Sequence, residues 1–114
     1  MNFGKTLEAW GTPAFAEAFK EEVRKNRAGL PLQKGLNSTS YALDERVEAM
    51  VIGTAEKGNF LIVKAGAFFQ GLLIGCSCAD DPTPVGEENE YCELFFRIDR
   101  KTGETLVFFP EDHE

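Results

Sequence analysis

The chain has 114 residues, with 12 Lys and Arg against 19 Asp and Glu, a net charge of −7. That length predicts a single domain, 1–114, whose core can form without disulfide staples. A hydrophobic fraction of 43% excludes a disordered chain. The negative balance argues against nucleic acid and anionic membrane surfaces, whose partners need Lys and Arg.

The opening residues, Met1 to Glu8, lack a basic segment followed by an apolar run, so no secretory leader is expected. Phe3, Leu7 and Trp10 recur at i, i+4 and i+7 and predict a helical turn or two before Gly11. Thr12 is a candidate N-cap, and Pro13 sits where a missing N–H costs nothing. Phe15, Ala18, Phe19 and Val23 form one apolar stripe, and Arg24, Lys25 and Arg27 suit a helix C-terminus. Gly29-Leu30-Pro31 is a stop signal, so a helix is predicted over about 13–28. The stretch from 30 to 40 is transitional, with room for a short edge strand at 30–34.

Beyond residue 46 the period shortens to that of strands. Strands are predicted over about 47–55, 60–65, 68–78, 90–99 and 104–109. Glu56-Lys57-Gly58-Asn59 reads as a hairpin turn with Gly58 at positive φ. Ala65-Gly66-Ala67 can turn or bend, and Gly71 and Gly75 suggest bulges or close approaches. Residues 80–89 read as a loop. Cys92, Leu94, Phe96 and Ile98 alternate with Tyr91, Glu93, Phe95 and Arg97. Arg100 to Gly103 reads as a second hairpin turn, and Pro110 ends the last strand. Phe60 to Ala79 is twenty residues long and mostly apolar, but Lys64, Gln70 and its glycines favour two buried strands over a membrane span. The expected class is α+β: an N-terminal helix packed on an antiparallel sheet of about 4–6 strands, a roll-like meander. In topology alone this order resembles a cystatin-like roll.

Six of the ten phenylalanines are neighbours: Phe68-Phe69, Phe95-Phe96 and Phe108-Phe109. Adjacent strand residues point to opposite faces, so each pair places one ring on each side of the sheet. The helix covers one side only. The other is expected to be closed by the segment around Phe3, Leu7, Trp10 and residues 30–43, to meet a second copy of the chain, or to line a pocket for a small apolar ligand.

Cys76, Cys78 and Cys92 are three, an odd count that suits a reducing cytoplasm more than a disulfide framework. If the strands at 68–78 and 90–99 pair, Cys92 approaches Cys76 or Cys78 as a metal or redox site beside Asp80 and Asp81. The C-x-C spacing is tight for one zinc ion, and three small buried thiols are the simpler reading. The single histidine, His113, is two residues from the last, so no Ser/His/Asp or Cys/His arrangement is expected. No Gly-rich phosphate loop occurs. The expectation is a non-enzymatic protein without a cofactor.

Residues 1–35 carry a net charge of +2 and residues 36–114 one of −9. Asp80, Asp81, Glu87, Glu88, Glu90 and Glu93 fall between Ala79 and Glu93 with no basic residue among them. This acidic stretch is either a solvated loop or a contact for a basic protein partner. Together these features predict a protein acting by protein–protein contact, with itself through the sheet and with the acidic loop as a second surface.

Overall fold

The computed structural model describes residues 1–36, 41–73 and 86–110. Helices α1 (Gly4–Glu8) and α2 (Phe15–Lys25) precede strands β1 (Tyr41–Lys57), β2 (Phe60–Leu73), β3 (Gly86–Asp99) and β4 (Thr105–Phe108). The strands form one antiparallel meander in the order β1-β2-β3-β4. The α+β class is therefore observed, with both helices on one face of the sheet.

Helix α2 forms because Phe15, Phe19 and Val23 recur every fourth residue and all three are buried. It starts two residues later than the sequence suggested, with Ala14 at the cap position. Thr12 instead makes a turn: its Oγ1 donates to the Ala9 carbonyl (2.7 Å) and accepts from the Ala14 N–H (3.2 Å). After Lys25 the chain tightens into a 3₁₀ turn at Arg27–Gly29. A second 3₁₀ turn, Leu32–Gly35, replaces the edge strand expected at 30–34. Leu30 and Leu32 drop into the core there, and Gly35 lies so close to β3 that a Cβ would sit 2.8 Å from the Cys92 Sγ.

The predicted strands 60–65 and 68–78 are in part a single strand, β2, with no turn at Ala65-Gly66-Ala67. Gly66 is paired on both sides, to Met50 and to Glu93. Its missing side chain is replaced by the Tyr91 ring, 2.6 Å from where a Cβ would stand. Strand β1 begins at Tyr41, earlier than expected, and pairs on both sides of an irregularity. Between the pairs Leu43–Gln70 and Glu48–Phe68, four residues of β1 face the single residue Phe69. A second bulge lies between Val51 and Gly53. Strand β3 starts at Gly86, so Glu87 to Asn89 are strand rather than loop. Gly58 (φ 57°) and Gly103 (φ 82°) supply the positive φ that the two hairpin turns need.

The core lies between α2 and the sheet. Phe3, Phe19 and Phe96 meet there with ring centroids 4.9–5.8 Å apart, and none is more than 1% exposed. Burying a side chain of this size is worth roughly 1.5–3 kcal/mol. The first residues are tied to the far hairpin: the Phe3 N–H donates to the Gly103 carbonyl and the Thr105 N–H to the Met1 carbonyl. Buried Glu22 on α2 accepts from the N–H groups of Lys5 (2.9 Å) and Thr6 (3.3 Å), so a carboxylate from one helix caps the start of the other. Among the described residues, no helix is long and apolar enough to cross a membrane.

Candidate functional site

Strand alternation divides the three phenylalanine pairs as their spacing requires. Phe69 (3% exposed), Phe96 (1%) and Phe109 (6%) face the helices. Phe68, Phe95 and Phe108 face the other way. Of the segment weighed for closing that second face, Phe3, Trp10, Leu30 and Leu32 lie on the helix side instead. Phe3 is in the core, and Trp10 packs edge-on against Phe15 at 5.0 Å. The Trp10 Nε1 donates to Glu56 at 2.8 Å, which anchors the ring on the helix side. All described helices and turns gather on that side because α2 has one apolar stripe and Trp10 follows it.

Among the described residues, the outer face is made of strand residues. Phe95 and Phe108 pair at 5.6 Å, and Phe68 meets Tyr91 at 4.8 Å. Arg97 lies 4.7 Å above the Phe60 ring, and Ile62 fills the row between. Phe68 and Met50 are each 46% exposed and Leu106 is 52% exposed. From the row Lys57–Phe60–Asp99, which Glu104 continues, to the row Glu48–Phe68–Tyr91, three bases (Lys57, Lys64, Arg97) meet four acids (Glu48, Glu93, Asp99, Glu104). Lys64 and Glu93 are paired at 3.6 Å. In a chain of charge −7, this face carries a net charge of only −1 and is nearly neutral.

A groove of about 550 Å³ opens at one end of the sheet, where β1 bows away from Phe69. Phe68, Phe69 and Tyr91 supply its apolar wall, and Gln70 and Asn89 its amides. Its charged groups are Arg46, Glu48 and Glu90. Glu48 is held by Arg24 at 3.1 Å, and Arg24 also meets Glu21 at 2.7 Å. The flanking carboxylates raise the Arg24 pKa above its ordinary value, the Glu48 hydrogen bond most of all. Burial, followed by the hydrogen bond to Glu93, raises that of Tyr91. Of the phenylalanines singled out in the sequence, Phe68 and Phe69 line this groove. Arg46, Glu48, Gln70 and Tyr91 were missed. Their only sequence signal is the run Asp44-Glu45-Arg46, charged residues that break the alternation of β1.

The acidic stretch and the cysteines are less unified than their spacing suggests. Asp80, Asp81, Cys76 and Cys78 lie outside the described residues, as does His113. Glu88 is exposed, but Glu90 is 3% exposed and points inward, so it belongs to no exposed acidic surface. Cys92 pairs in register with Ala67 and is buried. Burial, followed by the charge of Glu90, pushes its thiol up to about 11. A thiol this hard to ionise is a weak nucleophile. Among the described residues, no three Cys, His, Asp or Glu side chains converge as a metal site.

No family model matches the chain, and neither does any curated protein or solved structure.

Proposed function

We propose that the protein is non-enzymatic and acts by protein–protein contact, pairing with a second copy of itself through the outer face of its sheet. The observation that carries this reading is the exposed apolar area on the outward side of the sheet, where Phe68 and Met50 are each 46% exposed and Leu106 is 52% exposed. One-sided antiparallel sheets ordinarily carry polar residues on the solvent face. Area and charge favour a second copy as the occupant. Fourteen residues at ~3.3 Å each, on strands about 4.8 Å apart, make a face on the order of 700 Å². Stable interfaces bury about 800 Å² per partner. Two chains of charge −7 repel over most orientations, and the nearly neutral face is where they approach at least cost.

Light scattering after size exclusion tests this. At high micromolar concentration the expected mass is about 25 kDa, twice the 12.6 kDa chain. An apolar contact keeps that mass at ~1 M salt, where the Debye length is ~3 Å and ion pairs are screened. A strictly monomeric protein at these concentrations contradicts the proposal, and a dimer that dissociates in salt points to charged surfaces instead.

A further inference from the structure

We propose that the groove beside the β1 bow binds an aryl carboxylate, an aromatic ring that carries one anionic carboxylate. The proposal does not rest on self-association. Four residues of β1 face one residue of β2 there, and such irregularities re-aim side chains beside binding sites. At about 550 Å³ the groove falls within the usual range for small-molecule sites.

The polar lining divides into groups that are already engaged and groups that are not. Glu48 is held by Arg24 at 3.1 Å. The Tyr91 hydroxyl donates to Glu93 at 3.1 Å. Glu90 precedes Tyr91 on β3, so its buried carboxylate faces the other side of the sheet. Arg46, Gln70 and Asn89 remain. Among the described residues, no hydrogen bond or ion pair engages these three side chains. All three carry N–H donors, and Arg46 alone of them is charged. Gln70 and Asn89 stand directly opposite each other on β2 and β3. Each lies two residues from a ring, Phe68 or Tyr91, and so shares the outer face with it. The bow of β1 brings Arg46 to the same groove.

A carboxylate matches this set of donors. A planar guanidinium gives two parallel N–H bonds to the two oxygens of one carboxylate, and an amide beside it adds a third. Phe68 and Tyr91, 4.8 Å apart at 47°, offer the ligand's ring a tilted aromatic wall. The chain's charge of −7 slows an anion's approach. At physiological salt, however, the Debye length is about 8 Å, so a carboxylate in contact with Arg46 feels that guanidinium far more than the distant acids.

The test is titration with hydrocinnamate, followed by amide NMR shifts, in the wild type and in Leu106→Glu. Leu106→Glu keeps Phe68 open even if the wild type pairs through its outer face, so the two proposals are read separately. Hydrocinnamate is expected to bind, with shifts centred on Phe68, Gln70 and Tyr91. Hydrocinnamamide, its neutral counterpart, should bind about tenfold more weakly. Acetate, which lacks the ring, and phenethylammonium, which reverses the charge, should not bind at the same concentrations. Arg46→Gln should weaken hydrocinnamate about tenfold and leave hydrocinnamamide unchanged. Phe68→Leu should weaken both about threefold. Arg46 and Phe68 are exposed, so neither change should disturb folding. Equal binding of hydrocinnamamide overturns the proposal, since the groove is then merely apolar. Full affinity for hydrocinnamate in Arg46→Gln, preferential binding of phenethylammonium, or no binding by any probe in either protein also overturns it.

Discussion

Phe95 and Phe96 are identical neighbours with opposite surroundings. Phe96 is 1% exposed and locked between Phe3 and Phe19. Phe95, half-buried, leans on Phe108 on the outer face. The same division runs along the whole sheet. The inner face is apolar because α2 and the N-terminal residues fill it. The outer face is nearly as rich in rings, which meet one another in pairs, Phe95 with Phe108 and Phe68 with Tyr91. Burial against the helices explains the composition of the first face. Exposed apolar area such as that of Phe68, Met50 and Leu106 on the second face commonly marks an association surface.

Substitutions can break or sharpen this contrast. The largest effect is expected at Phe96. Phe96→Ala should cost about 3–5 kcal/mol by leaving a cavity between three rings. Phe95→Ala, measured in dilute monomer, should cost less, about 1–2 kcal/mol, because its ring is only half-buried. Urea unfolding of the two variants measures the difference directly, and equal costs would erase the distinction between the faces. Next is Glu22, whose carboxylate caps α1 from inside the core. Glu22→Ala should cost about 1–2 kcal/mol, in the range of lost N-caps, with melting of the first helix visible as loss of amide protection at Lys5 and Thr6.

A smaller effect is set by pH. The Asp99 carboxyl is held below its ordinary range, chiefly by the Lys101 N–H and further by the Thr102 N–H and the Asn59 side chain. A depressed folded-state pKa contributes stability above the unfolded value, near 3.9. That contribution is lost as pH falls through the folded value. Asp99→Ala should therefore flatten the acid limb of the stability profile and leave the slope near neutrality alone. An unchanged acid limb would show that this turn contributes nothing to the linkage.

The class of fold was readable because its signals are local. The i, i+4 stripe of Phe15, Phe19 and Val23, the Gly58 hairpin and the alternation from Tyr91 to Ile98 each need only a short window of sequence. The splitting of the phenylalanine pairs was readable for the same reason, since opposite orientation of neighbours is a property of any strand. What covers each face was not readable. Trp10 could have closed either side, and a hydrogen bond to Glu56, 46 residues away, decides for the inner one. The continuity of β2 through Gly66 depends on Tyr91 filling the glycine's space from the next strand. The groove was hidden for a related reason. It exists because four residues of β1 lie against one of β2, a mismatch in register that no single strand's sequence displays. Glu90 stood in an acidic run and looked exposed, but the period-two alternation that puts Cys92, Leu94 and Phe96 inward carries it inward as well.

The outer face as a self-contact is tested most directly by sedimentation equilibrium of the wild type beside Leu106→Glu. Leu106 is 52% exposed on β4, so a charge there should change folding stability by about 0.5 kcal/mol or less. In a dimer that charge would be buried without a partner. The account predicts about 25 kDa for the wild type and the monomer mass of 12.6 kDa for Leu106→Glu, with unchanged circular dichroism. Equal masses for the two proteins, whether monomer or dimer, would contradict it.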